Sequence, residues 1–278
     1  MNYRHAYHAG NFADVMKHAA LVAVLGHLKK KDKPFRVIDS HAGRGVYDLS
    51  GAEAAKTGEA QGGVARLEGL ADMPPALAAY AELVRGFGPS HYPGSPLIAA
   101  RLLRPADRLV AIEKHSEEFA VLAAALHPFA TAKAVEGDGY DRLIALLPPP
   151  ERRGLVLIDP PYEAEDEFAQ LARAMAGAYR RFATGIYLIW FPVKRRIDAG
   201  ALAGEIRNLG VAKLLLLTLD IGRAADAPAE RLSESGLLVV NPPFGFAEEM
   251  QAVLAFLAAH LAQGPGANGR VEWLAGEG

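Results

Sequence analysis

The residues best suited to chemistry are Asp159-Pro160-Pro161-Tyr162, directly after the apolar run GLVLI. An exocyclic amine on an aromatic base is a poor nucleophile, because its lone pair is delocalised into the ring. A carboxylate that accepts hydrogen bonds from the amine localises that pair, and a neighbouring backbone carbonyl can assist. Two prolines fix φ and carry no N–H, so the loop is stiff and presents acceptors without competing donors. Tyr162 adds a flat face, and stacking on it would hold an extruded base with roughly 1–3 kcal/mol. Rate would then come mostly from positioning. A second string, Asn241-Pro242-Pro243-Phe244, also follows an apolar strand. The order of elements favours Asp159, whose strand is expected beside the first one; Asn241 closes the seventh strand, toward the sheet's far side.

Asp39-Ser40-His41-Ala42-Gly43-Arg44-Gly45 forms a glycine loop at the end of the first strand, where backbone can approach a nucleotide-like cofactor. It lacks the third glycine of the dinucleotide fingerprint, and a plain tight turn is the alternative. Glu113 ends the second strand, where a carboxylate can accept ribose hydroxyl protons. Glu136-Gly137-Asp138-Gly139 ends the third, and Asp138 could hold an adenine's amino group. Each acid alone reads as a surface residue; three after successive strands point to a pocket.

The elements that must position these groups alternate. A helical pattern at 12–30 precedes strand-like runs at 35–39, 108–113, 132–138, 154–159 and 185–190, with helices at 115–126, 140–147 and 165–182. That order argues for a doubly wound parallel sheet. Runs at 213–221 and 235–243 read as an antiparallel pair, and 247–262 as a final helix. VEWL near the end has no assigned role. Residues 48–95 hold a helical pattern at 76–86 and no convincing strand. They read as an insertion in the single domain 1–278, either a substrate-holding lid at the sheet's carboxyl edge or an inert elaboration.

The 278 residues are 51% hydrophobic and contain no cysteine, which excludes disulfides, thiolate metal sites and cysteine nucleophiles. With a polar, histidine-rich start and no run of about eighteen apolar residues, the expectation is a cytoplasmic protein without a membrane partner. The net charge of −2 gives no global attraction for phosphate, so a nucleic-acid partner would need local patches. Candidates are Lys29, Lys30, Lys31 and Lys33, then Arg152 and Arg153, Arg180 and Arg181, and Lys194, Arg195 and Arg196. Each also reads as a solvated helix end.

With these motifs placed, the chain resembles the RlmJ family of 23S ribosomal RNA adenine-N6 methyltransferases over nearly its whole length. The resemblance rests on YRHAYHAGNFADVMKH at 3–18, DSHAGRGVY at 39–47, YPGSPLIA at 92–99, RRGLVLIDPPYE at 152–163 and RFATGIYLIWFPV at 181–193, with NPPF at 241–244. It implies an α/β fold of the Rossmann-like class I methyltransferase type, with a mostly parallel seven-stranded sheet and a small helical insertion. S-adenosylmethionine is the implied cofactor, with no metal, and ribosomal RNA the implied substrate; a monomer is expected. By the same resemblance Asp159 is the catalytic acceptor. His18, His41, Ser95, Glu113, Asp138 and Gly139 would contact the cofactor. Tyr3, with His5 and Lys17 nearby, would meet the substrate, as Tyr162 would by stacking. Competing expectations are a DNA adenine-N6 methyltransferase, a glutamine-modifying protein methyltransferase, and a non-catalytic DNA-binding protein for the use of external DNA.

Overall fold

The computed structural model describes residues 8–51, 57–193, 199–224, 228 and 231–276. Tyr3, His5 and the basic run 194–196 lie outside them. Helix α1 (Phe12–Lys29) leads into strand β1 (Arg36–Asp39). A short antiparallel ribbon, β2 (Val46–Asp48) and β3 (His91–Pro93), frames the inserted interval. Within that interval lie a one-turn helix, α2 (Glu59–Gly62), and α3 (Pro75–Arg85). The expectation of an interval without strands is therefore corrected at its two ends. Three-residue strands leave too little alternation to be recognised.

Beyond the ribbon come α4 (Ser95–Leu102), β4 (Arg108–Glu113), α5 (Ser116–Leu126), β5 (Ala132–Glu136), α6 (Gly139–Leu146) and β6 (Gly154–Ile158). The chain continues with α7 (Glu167–Arg181), β7 (Ile186–Pro192), α8 (Ala199–Asn208), β8 (Leu214–Asp220), β9 (Glu234–Val240), α9 (Phe246–Leu261) and β10 (Asn268–Ala275). The main sheet has the order β10-β8-β9-β7-β6-β1-β4-β5. It has eight strands, not the expected seven. The extra one is β10, which contains VEWL and pairs antiparallel with β8 at the edge. Its alternation, with Val271 and Trp273 turned to the core and Arg270 and Glu272 outward, is that of a half-buried edge strand.

The sheet is covered on both faces, and this explains the continuous apolar run of β6. Leu155 and Leu157 face a core shared with α1, α4, α5 and α9. Val156 and Ile158 face the core built with α6, α7 and α8. Buried nearly all round, α1 is a core helix rather than a surface one. The inserted interval packs Leu77 and Tyr80 of α3 into the same core as α1.

Strand direction disposes of the second Pro-Pro string. β9 runs antiparallel to β7, pairing Val240 with Tyr187 at the start of that strand. Asn241 therefore emerges at the sheet's amino edge, opposite the ends of β1, β4, β5 and β6. There its Nδ2 donates to Ala183 O (2.8 Å) and Gly185 O (2.7 Å), and its φ of 53° is one that asparagine tolerates well. Asn241→Ala is expected to lower stability by about 1–2 kcal/mol, read as an earlier thermal midpoint, with cofactor affinity intact. Lost cofactor affinity at an unchanged midpoint would contradict this structural role.

Candidate active site

At the opposite, carboxyl edge the strand ends converge. Glu113 closes β4 and is held by two backbone donors: Gly43 N to Oε2 (3.0 Å) and His115 N to Oε1 (2.7 Å). The glycine loop and the second strand's acid are thus joined directly, although the inserted interval separates them in sequence. Asp138 caps α6, accepting from Tyr140 N (3.0 Å), and pairs with Lys114 Nζ (3.0 Å). Burial works against its charge, but Lys114 and the cap hold its carboxyl below the usual range. Gly139 has to be glycine: a Cβ there would lie 2.2 Å from Ser40 O and 2.9 Å from the His41 ring.

His41 is fixed in one tautomer. The Ser40 hydroxyl donates to Leu157 O (3.0 Å), so at 2.8 Å His41 Nδ1 carries the proton toward Ser40 Oγ. Its Nε2 is left as an acceptor beside Gly139. Burial brings the imidazole pKa down to about 4, which keeps the ring neutral. His18, buried on α1, bonds Tyr92 Oη (2.7 Å), which continues to Tyr80 Oη (2.9 Å). The insertion therefore braces one wall of the site.

Ser95 Oγ donates to Asp39 Oδ2 (2.6 Å), while Asp39 Oδ1 is buried with no hydrogen-bond partner among the described residues. Burial pushes the Asp39 carboxyl up to about 7, against the Ser95 bond, and Asp159's charge adds to the rise. Between its ordinary 3.8 and about 7, the native chain then binds more protons than the unfolded chain. Stability from Asp39 is present below that range and is lost as pH climbs through it, at about 1.4 kcal/mol per pH unit. Asp39→Asn is expected to flatten this slope. Urea unfolding at pH 5 and pH 8 checks it, and an identical difference in variant and wild type would sink the assignment.

The centre of the site is a buried charge triad. Lys17 is 3% exposed; its Nζ donates to Asp14 Oδ1 (2.8 Å) and to Asp159 Oδ2. Burial alone would lower its pKa, but Asp14 and Asp159 outweigh that and hold it above its ordinary value. Asp14 is itself fixed by Gly10 N (2.9 Å). Tyr162, in the left-handed region (φ 53°), donates from Oη to Trp190 O (2.6 Å) and meets the Trp190 ring edge-on.

Two cavities meet at Lys17, Asp159 and Pro161. The larger, about 220 Å³, is lined by His18, His41, Ser95, Glu113, Asp138 and Gly139 among others. The smaller, about 110 Å³, is lined by His8, Asn11, Asp14, Tyr162, Trp190 and Leu232 among others. Every described residue expected to contact the cofactor thus falls in one cavity. Lys17 and Asp159 stand at its junction with the other, and Tyr162 lies in the second. Sequence reasoning missed Asp14, Trp190, His8 and Asn11. Only Asp14 left a readable signal, its i,i+3 spacing to Lys17.

A family model described as ribosomal RNA large subunit methyltransferase D, RlmJ, matches residues 32–275. Ribosomal RNA large subunit methyltransferase J of Escherichia coli is 38% identical over 281 residues, covering 100% of both chains. The protein of that name from Haemophilus influenzae is 38% identical over 285 residues, again with 100% of both covered. A crystal structure of a Legionella pneumophila protein superposes with a TM-score of 0.83 at 34% identity, over 97% of this chain and 99% of that one. With a matching model over most of its length and relatives alike from end to end, this chain belongs to the RlmJ family of large-subunit ribosomal RNA methyltransferases.

Proposed function

We propose that the chain methylates the exocyclic N6 amino group of an adenine in 23S ribosomal RNA, with S-adenosylmethionine in the larger cavity and the target base in the smaller. The observation that carries this reading is the meeting of the two cavities at Asp159 and Lys17. When bound, S-adenosylmethionine supplies a methyl group already activated on a sulfonium, so this chemistry needs no metal. The larger cavity fits such a group: Gly43 and Gly139 open the backbone, Glu113 and Asp138 offer acceptors for ribose and amino hydrogens, and Asp39 Oδ1 is a buried acceptor with no partner among the described residues.

Lys17 occupies Oδ2 of Asp159, which leaves Oδ1 to accept a hydrogen bond from the adenine amine. That bond draws the nitrogen lone pair out of conjugation, and the same carboxylate is placed to receive the proton the amine sheds. Tyr162 and Trp190 give the base flat faces, with the tyrosine hydroxyl tied back so the ring cannot swing. By the family resemblance Tyr3 and His5, which lie outside the described residues, would meet the substrate.

The test is transfer of labelled methyl from S-adenosylmethionine to unmodified large-subunit RNA and to DNA of the same sequence, followed by nucleoside analysis. Label is expected on adenine N6 of the RNA. Label in the DNA instead, or on a ring atom of another base, would overturn the reading.

A further inference from the structure

Three of the four basic runs in the sequence, and the second Pro-Pro-aromatic string, are not used by the carboxyl-edge site. The fold gathers these three runs and the string at the opposite, amino edge. The 30–35 loop enters β1 there, 150–153 enters the neighbouring β6, and the 180–185 turn enters β7, next in the sheet. Beside that turn, Asn241-Pro242-Pro243-Phe244 leaves β9. The loops are stapled together: Arg104 donates to Lys31 O (3.0 Å) and Lys33 O (2.9 Å), Arg153 to Lys33 O (2.8 Å), and Asn241 to Ala183 O and Gly185 O.

What this rigid edge shows to solvent is cationic and aromatic. Lys30, Lys31, Lys33, Arg152 and Arg180 are exposed and make no ion pair among the described residues. Two of the carboxylates nearby are already engaged, Glu151 with Arg36 and Asp107 with Arg104. Asp32 lies 3.9 Å from Arg104, and Glu248 stands in the first turn of α9 close to Phe244 in sequence. Arg180 ends a helix, where a cation is favoured in any case. Lys33 and Arg152 sit in loops where no helix end calls for them. The field is felt locally: burial and the charges of Lys30, Arg153 and Lys31 hold the His27 imidazole below its ordinary range. Phe244 is 92% exposed, far beyond any other large apolar side chain described.

At the carboxyl edge, by contrast, the exposed Glu163, Glu165 and Asp166 follow the Asp-Pro-Pro-Tyr loop, so an RNA reaching the site meets local negative charge there and gains from a separate cationic anchor. The geometry points to a second RNA-binding site at the amino edge, where Lys30, Lys31, Lys33, Arg152 and Arg180 contact phosphates and Phe244 stacks on an unpaired base. The inference rests on the RNA reading above. It places an anchor about 17 Å of strand away from the reacting centre, so one folded RNA would be gripped at two edges of the sheet.

The test uses the full chain with unmodified large-subunit RNA transcribed in vitro. Binding is measured directly across a salt series, and methyl transfer in parallel. The Lys31→Ser, Lys33→Ser, Arg152→Ser triple variant is expected to weaken RNA binding about tenfold and to reduce the salt slope by about 2. Phe244→Ala is expected to weaken it about tenfold with the slope unchanged. In both, the loss falls in KM, and cofactor affinity, set at the opposite edge, does not move. All substituted side chains are exposed, and matching thermal midpoints show that the fold is intact. Wild-type affinity and slope in both variants would overturn the site even if RNA is methylated. Normal binding of naked RNA combined with impaired action on ribosomal particles would also overturn it, in favour of a protein partner. Absence of methyl transfer to RNA by wild type would instead strike the functional reading, while the binding measurement still decides the edge.

Discussion

Asp159→Ala is expected to reduce single-turnover methyl transfer on the order of a thousandfold, comparable to losing one preorganised hydrogen-bonding group at a reacting atom. The substitution removes the acceptor at the junction of the two cavities while leaving most of the larger cavity's lining in place. Affinity for S-adenosylmethionine should therefore stay within a few-fold. The fold should persist, because Asp14 still pairs with Lys17. Asp159→Asn keeps an acceptor oxygen without the charge, and its rate should fall between the two. A rate for Asp159→Ala within tenfold of wild type would end the acceptor role, whatever the RNA assay shows.

Lys17→Met is expected to damage stability and chemistry together. The ammonium is the shared cation of two carboxylates, Asp14 and Asp159, and it also lowers the pKa of Asp39. Without it, buried negative charges face one another uncompensated, at a cost of about 3–5 kcal/mol of unfolding free energy, read by urea unfolding. The direction of the pH effect follows from the same charges. Losing a nearby cation makes the Asp39 carboxyl harder to ionise, so the pH range over which its stability contribution fades should move higher. Lys17→Arg preserves charge but not the compact ammonium, and should recover stability more than rate. An unmoved pH dependence of stability in Lys17→Met would show that Lys17 does not govern the ionisation of Asp39.

Much of this was legible because both faces of the sheet are covered. Burial on two sides turns β6 into the unbroken run GLVLI, and the acids Asp39, Glu113 and Asp138 each stand at a strand end or helix cap. The elements that escaped were those with weak local signals. α4 opens with proline in its first turn and has eight residues; α8 carries Gly200 and Gly204 in a short helix. β10 follows a glycine-rich stretch and spends half its alternation on solvent. Trp190 could not be assigned from sequence because its value lies in contact with Tyr162, created only when β6 and β7 pair. The identity of the triad was half visible: Asp14 and Lys17 are neighbours on one helix, whereas Asp159 is 142 residues from Lys17.

That separation also governs how the molecule is born. α1 is synthesised early, yet its apolar surface packs into a core completed by α9, whose last residue is Leu261. α3 and α4 can cover part of the helix that carries Lys17, but the rest stays open until α9 exists, and contacts of such long range fold slowly. A chain truncated before α9 will therefore hold a partly uncovered apolar helix. Chaperone dependence and sensitivity to C-terminal deletion should be written into this enzyme from its first turn of helix.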